Sequence, residues 1–374
     1  MRGHIRKRGK SFEAVVYLGK DPQTGKKRYK SCTWLTRREA EAQLHHLIAQ
    51  AQAGTGVPPS RLRFGDYLEQ WLRDYATSAL RPATLRSYTN IVRHHFVPTL
   101  GHLPLARLSP QAIQGFLGDR LQKGLSPTTV LYHYRVLHES LRHAMKWGLL
   151  PRNPADHVDP PRRRRLEMRV WDEEQVRLFL AEAKRSSRHY VLFLAAILTG
   201  MRQGELLGLR WQDVDFTFGT FSIQQAFYRL GKWMLFDKPK TAKARRRIYA
   251  PEVLLNELGR LRECQREERA LLGPEYEDHD LVFCQPNGKP LHAHNVVERD
   301  FKRLIRRTDL PRIRFHDLRH CHATLLLKQG EHPKVVQERL GHSTAAFTLD
   351  VYSHVLPGMQ EGAARRLASR LLEG

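Results

Sequence analysis

Apolar residues recur along the chain with two different periods, and the changes of period divide it into three stretches. In the first, Phe12–Leu18 (FEAVVYL) and Arg28–Thr33 have strand composition and flank the turn sequence Asp21-Pro22-Gln23-Thr24-Gly25, which predicts two strands of a sheet. A short leading strand fits around Ile5. Thr36 with Glu39 three residues later forms a capping box and opens a helix whose Ala40, Leu44, Leu47, Ile48 and Ala51 share one face. The expectation is a three-stranded sheet on one helix over residues 1–56. The Gly/Pro-rich AGTGVPPS closes it as a linker.

From residue 62 to 158 the period is 3.6 throughout. Phe64–Ala76, Pro82–Phe96, Pro110–Gln122 and Pro127–Trp147 read as four helices. Three of them carry Pro at or next to the first turn, where its missing N–H costs least. Short loops between them predict a compact bundle. The stretch PRNPADHVDPPRRRRLEMR then reads as an extended, basic connection.

Residues 166–374 mix the two periods. Asp172 caps a helix bearing Val176, Phe179 and Leu180, and a second helix, Tyr190–Leu198, ends at Gly200. Strands are expected at Phe221–Ala226, at Lys232–Phe236 and near Val282. Helices are expected over Pro251–Leu271, after His294, from His316, and between Pro333 and Gly341. A last helix, Glu361–Leu372, gathers Ala364, Leu367, Ala368, Leu371 and Leu372 on one side. It can pack on its own domain or dock on a neighbouring copy. The fold class is therefore multidomain and mainly α with small β: a small sheet plus helix, a helical bundle, and a mixed α+β domain.

Charge narrows the partner. The 63 Lys and Arg against 38 Asp and Glu leave a formal net charge of +25, which favours a polyanion, most simply nucleic acid. Arg6, Lys7, Arg8, Lys27, Arg28 and Lys30 lie on the expected ribbon, which can enter a DNA groove. Arg81, Arg86 and Arg135 lie on the bundle and suit phosphate contacts. For each of these, a merely solvated face is the competing reading. No apolar run reaches the roughly 18 residues of a membrane span, and no secretory signal is evident. Cys32, Cys264, Cys284 and Cys321 have no C-x-x-C spacing, so reduced thiols in a cytoplasmic, nucleoid-associated protein are expected and a zinc site is not.

The candidate chemistry lies in the last third. His316, Arg319 and His320 fall at i, i+3 and i+4, a shared helical face. His342 follows the expected helix-ending Gly341, and Tyr352 stands ten residues on. Upstream, Arg202 and Glu205 are three apart at a helix start, so the carboxylate can brace that guanidinium or a nearby histidine. Arginine grips a phosphate through two N–H groups and stays charged. Histidine exchanges protons near neutrality, and tyrosine can attack phosphorus. A His316/His320 metal pair is a weaker alternative, because an arginine on that face repels a dication.

The blocks TGMRQGELLGLRW, HDLRHCHATLLLKQG and LGHSTAAFTLDVYSH resemble the tyrosine recombinase, or phage integrase, family. The three-part layout is similar to three-domain integrases. There an arm-type DNA-binding domain (here 1–56) precedes a helical, SAM-like core-binding domain (62–158) and the catalytic domain (166–374). The resemblance implies Arg202 and Arg319 as the catalytic arginines, Lys240 in the PKT turn as the catalytic lysine, His316 and His342 as the histidines, Tyr352 as nucleophile and Glu205 as a supporting residue. Cys321 stands where the family often has threonine and Ala244 where it often has serine; neither position is catalytic. It further implies site-specific recombination through a 3′-phosphotyrosine, without metal or other cofactor. The partner would be double-stranded DNA at core and arm sites, bound as a homotetramer with a possible DNA-bending or directionality factor. A type IB topoisomerase-like relaxation activity or a non-catalytic DNA-binding role are the alternatives, told apart by their products.

Overall fold

The computed structural model describes residues 3–9, 11–20, 27–52, 62–162, 169–230, 233–237, 246–342 and positions 344, 349, 364, 368, 369, 371 and 372. The chain separates into two compact units, Met1–Leu166 and Glu167–Gly374.

The first unit opens with strands β1 (Gly3–Arg8), β2 (Ser11–Lys20) and β3 (Lys27–Trp34), followed by helix α1 (Arg37–Gln52). The strands form one antiparallel sheet in the order β1-β2-β3. The capping box is present: the Glu39 N–H donates to Thr36 Oγ1 at 3.3 Å, and the Thr36 N–H donates to Glu39 Oε2 at 3.2 Å. Val16 is buried against Cys32, Leu44 and Ile48, so one sheet face carries α1. Alternation places Glu13, opposite Arg6 in register, on the other face.

The same unit holds the helical bundle. α2 (Phe64–Trp71) runs through a π-helical stretch, Leu72–Ala76, into α3 (Thr77–Ala79). α4 (Pro82–Ile91) runs through a second one, Val92–Phe96, into α5 (Val97–Leu100). α6 (Pro110–Gln122) and α7 (Pro127–Lys146) complete it, each N-capped by a serine, Ser109 and Ser126. The sequence predicts Phe64–Ala76 and Pro82–Phe96 as plain helices, and the wide turns differ from that reading. Their cause is packing. Trp71 with Leu72, and Ile91 with Val92, are adjacent pairs in which both residues are buried. A turn holding an extra residue keeps both members and the later Ala76 and Phe96 on the core.

The second unit begins with α8 (Glu173–Ser186), capped by a reciprocal Asp172–Gln175 box, and α9 (Tyr190–Thr199). Short α10 (Gln203–Leu207) follows. Next come β4 (Val214–Asp215), β5 (Thr220–Ser222), β6 (Ala226–Leu230), β7 (Trp233–Asp237) and β8 (Arg247–Tyr249). Helices α11 (Glu252–Leu272), α12 (Lys302–Arg307), α13 (Asp317–Lys328) and α14 (Pro333–Leu340) complete the unit. The core is aromatic, with Trp171, Phe179, Phe193, Phe301 and Phe315 in mutual ring contact.

Two strand expectations need correction. Phe221–Ala226 is not one strand: β5 belongs to a β4-β5-β8 sheet, and β6 pairs with β7 as a separate hairpin. Gln225, between them, turns its amide onto the Gly208 carbonyl at 2.9 Å, which ties the crossing to the end of α10. Near Val282 there are only isolated bridges, Arg210 with Leu281 and Cys284 with Pro290. Likewise, the helix after His294 starts as a π-helical stretch, Asn295–Phe301.

Candidate active site

Two glycines with positive φ shape the site. Gly200 (φ 63°) ends α9 and Gly341 (φ 65°) ends α14. Both conformations are easy only for glycine. Gly200 also has no room for a side chain, since an added Cβ would lie 2.6 Å from His322 and 2.7 Å from Leu340. Each turn leaves backbone carbonyls facing inward, and arginines collect them.

Arg319, on α13, is 3% exposed. Its Nη1 donates to the Gly200 carbonyl at 2.7 Å and its Nη2 to the Leu340 carbonyl at 2.6 Å. One guanidinium thus ties both helix ends together. Arg202, at the N-cap of α10, donates from Nη1 to Glu205 Oε1 at 2.7 Å and from Nη2 to the Gly341 carbonyl at 3.3 Å. The Glu205 Oε2 also accepts the Arg202 backbone N–H at 2.9 Å, so one carboxylate caps the helix and aims the side chain. Of the two partners the spacing offered for Glu205, the structure selects the guanidinium. Cations at helix C-termini are favourable on their own account.

Arg246 completes this set, and sequence reasoning missed it. It stands just before β8, largely buried, and donates to both Glu205 oxygens, Nη1 to Oε1 at 3.2 Å and Nη2 to Oε2 at 2.9 Å. Its Nε donates to the Arg339 carbonyl at 2.6 Å. The available signal was weak: Arg246 sits within the run Arg245-Arg246-Arg247, and a run of charge reads as surface.

His342 directly follows the Gly341 turn and is buried. Its backbone N–H donates to the Gln337 carbonyl at 3.1 Å, and the Gln337 amide donates back to the His342 carbonyl at 2.7 Å. Burial first, then Arg319 and Arg202, push its pKa down to about 3, so the imidazole is neutral at physiological pH. His316 is not within α13 but is its N-cap. It keeps solvent access, and its pKa is lowered by partial desolvation and by Arg319, with Asp317 acting the other way. Its ring meets that of His320 edge-on at 5.1 Å. His320 is pushed down to about 4 by burial and by His316. So His316 and His320 do pair, while Arg319 between them turns into the fold. Burial would raise the Glu205 carboxyl, but Arg246 and Arg202 outweigh it and hold the group at about 2.

Glu205 is thus shared by two guanidiniums, and Arg319 donates to the two carbonyls just described. The local excess is positive, next to a neutral, protonatable His342. Such a pocket suits a phosphodiester. Among the described residues no cluster of three or more His, Cys, Asp or Glu is placed to hold a metal. Lys240 and Tyr352 lie outside the described residues.

Of the residues assigned to nucleic-acid contact, Arg6 and Arg8 converge on Glu13, at 2.8 and 3.1 Å. Lys7 is exposed on β1, and Lys27, Arg28 and Lys30 lie along β3. Arg81 is at the N-cap of α4, and Arg86 and Arg135 are exposed on α4 and α7. Among the described residues no helix is long and apolar enough to cross a membrane.

Comparison with known proteins gives a consistent picture. Residues 169–358 match the phage integrase family, and residues 63–119 match the phage integrase N-terminal SAM-like domain. A tyrosine recombinase XerC-like protein of Caldanaerobacter subterraneus subsp. tengcongensis is 29% identical, over 96% of this chain and 97% of its own length. The ICEBs1 integrase of Bacillus subtilis is 28% identical, over 95% and 96%. Among solved structures, the Tn1549 transposon integrase in complex with a circular intermediate DNA superposes with a TM-score of 0.70 at 22% identity. It covers 82% of this chain and all of that one.

Proposed function

The chain belongs to the phage integrase family, and we propose that it is a tyrosine-type site-specific DNA recombinase that integrates or excises a mobile element. Its named relatives include integrases of such elements. The observation that carries the reading is the convergence of Arg202, Arg319 and His342 on the ends of α9 and α14.

In the proposed mechanism a scissile phosphate enters this positive pocket, and Arg202, Arg319 and His342 bind its non-bridging oxygens. Their charge and N–H groups stabilise the pentavalent transition state, where the negative charge grows. The Tyr352 oxygen attacks phosphorus and loses its proton, with His316 assisting the transfer. The bond to the 5′ oxygen breaks, and Lys240 protonates that oxygen. The products are a 3′-phosphotyrosine and a free 5′-hydroxyl. Rejoining reverses these steps with a 5′-hydroxyl from another strand. No energy source enters, because the phosphotyrosine retains the bond energy.

Full exchange between two duplexes breaks four strands, and each protomer supplies one tyrosine. A tetramer on DNA, working through a Holliday junction, follows. Residues 1–56 serve as the arm-site module, 62–158 as the core-site module and 166–374 as the catalytic one. The work takes place in the cytoplasm on nucleoid DNA.

A nicked suicide substrate tests the assignment. The intact protein should trap a covalent adduct at the 3′ phosphate, and digestion should leave a peptide containing Tyr352. Tyr352→Phe should give no adduct yet still shift the duplex in a gel. An adduct that persists in Tyr352→Phe moves the nucleophile to another tyrosine.

A further inference from the structure

We infer that Arg246 is a positioning residue of this active site, one that locks the Arg202 segment, the approach to β8 and the His342 turn into a single arrangement. The inference rests on the recombinase reading above and extends it to a residue outside the implied catalytic set.

The geometry is specific. Arg246 spans two segments far apart in sequence with one side chain. Two of its nitrogens hold both oxygens of Glu205, and the third holds the Arg339 carbonyl two residues before Gly341. Its aliphatic end also lies against Gly341, where an added Cβ would come within 3.2 Å of the Arg246 Cδ and Nη1. Glu205 in turn holds the Arg202 backbone and guanidinium. The chain of contacts therefore runs from Arg339 and Gly341 through Arg246 and Glu205 to Arg202. Both ends of that chain carry residues that the proposed mechanism sets on the phosphate: His342 follows Gly341 directly, and Arg202 donates to the Gly341 carbonyl.

Charge gives Arg246 a second effect. Glu205 is 4% exposed, and the charged groups facing it are Arg202 from its own helix start and Arg246 from the opposite side. With both present the carboxylate stays ionised. Without Arg246, a buried carboxylate faces one guanidinium, its pKa rises, and protonation releases Arg202 in mildly acidic solution. Arg246 itself touches no reacting atom in this scheme. It acts by fixing where Arg202 and His342 stand.

The experiment is single-turnover cleavage of a nicked core-site duplex by the full chain from about pH 5 to 8, with affinity measured alongside. Arg246→Met keeps the stem and removes the fork; Arg246→Lys keeps one donor and the charge. The expected loss for Arg246→Met is roughly 10²-fold in cleavage rate, the size seen when a transition-state donor is lost or misplaced. DNA affinity should stay within about threefold, since it is spread over many phosphate contacts. The variant should also gain an acid limb from Glu205, in addition to any that His316 gives the parent, and Glu205→Gln in the Arg246→Met background should abolish that added limb. Arg246→Lys should recover part of the rate. Cleavage by Arg246→Met within about threefold of the parent at all pH values would overturn the inference. So would a rate loss matched by an equal loss of affinity with no added acid limb, the mark of a general folding defect. If the parent itself forms no adduct, the recombinase reading fails instead, and the two failures are distinct.

Discussion

At the scale of single residues the site is an arrangement of permanent cations around neutral imidazoles. That division bears on the proposed general acid. Arginine does not give up a proton, and His342, held down at about 3, carries none to give at neutral pH before the phosphate arrives. Lys240 is the proposed source of the proton for the leaving 5′ oxygen. Lys240→Ala should then slow cleavage far more on an ordinary phosphodiester than on one with a 5′-bridging sulfur, because a thiolate leaves without a proton. Equal slowing on both substrates would give Lys240 a binding role and point to Lys238 or Lys243. Much of this site was legible in the sequence. Arg202 with Glu205, and Gly341 with His342, are local signals, each held within one turn or one cap. Arg246 was not, because its partners, Glu205 and Arg339, lie 41 and 93 residues away. No periodicity reports such a contact.

At the scale of elements, the two helix ends do the positioning, and their glycines differ in how much they tolerate. An L residue in the left-handed region costs roughly 1–2 kcal/mol. Gly341→Ala bears mainly that, since its closest new contact is the side chain of Arg246 at 3.2 Å. Gly200→Ala bears it too, and also drives a methyl to 2.6 Å from the buried His322 ring and 2.7 Å from Leu340. His322 has little room to yield, because its Nδ1 is hydrogen-bonded to the Ile197 carbonyl at 2.8 Å. Gly200→Ala should therefore destabilise the second unit more than Gly341→Ala. Hydrogen exchange should rise in α9 and α13 while α7 of the bundle stays unchanged. The reverse order of the two variants would refute this account of the Gly200 turn. The helices and caps followed from local pattern, as Asp172–Gln175, Thr36–Glu39 and Ser126 illustrate. The π-helical turns at Leu72–Ala76 and Val92–Phe96 and the split of Phe221–Ala226 did not. Each is decided by which neighbours must be buried together or paired across the sheet, and so by tertiary contacts.

At the scale of the whole molecule, the question is how much of the +25 charge is available to DNA. That net figure already subtracts every carboxylate, so internal ion pairs do not lower it; they decide which of the 63 Lys and Arg are engaged. Arg93 pairs with Glu69, Arg185 with Glu182, Arg188 with Glu268, and Arg6 and Arg8 share Glu13. Arg93–Glu69 is exposed on both sides, and such a pair is weak, so a phosphate can recruit that arginine at small cost. The free excess is then spread over the chain rather than confined to the catalytic pocket. Binding should accordingly release many counterions. Affinity for a full attachment site should fall by roughly 10³-fold or more between about 50 and 200 mM salt, as for six to ten phosphate contacts. A protein lacking residues 1–55 separates the contributions. On a short core duplex its salt slope and cleavage should match those of the intact chain, because the proposed arm module would have no site there. On a full attachment site the slope should become shallower and recombination should weaken, because the contacts of Lys7 and the β3 basic residues are gone. A truncated protein that recombines full sites as well as the intact one, with the same slope, would remove the arm-binding role from the N-terminal sheet. A slope near zero for the intact chain would contradict the phosphate-dominated account of binding as a whole.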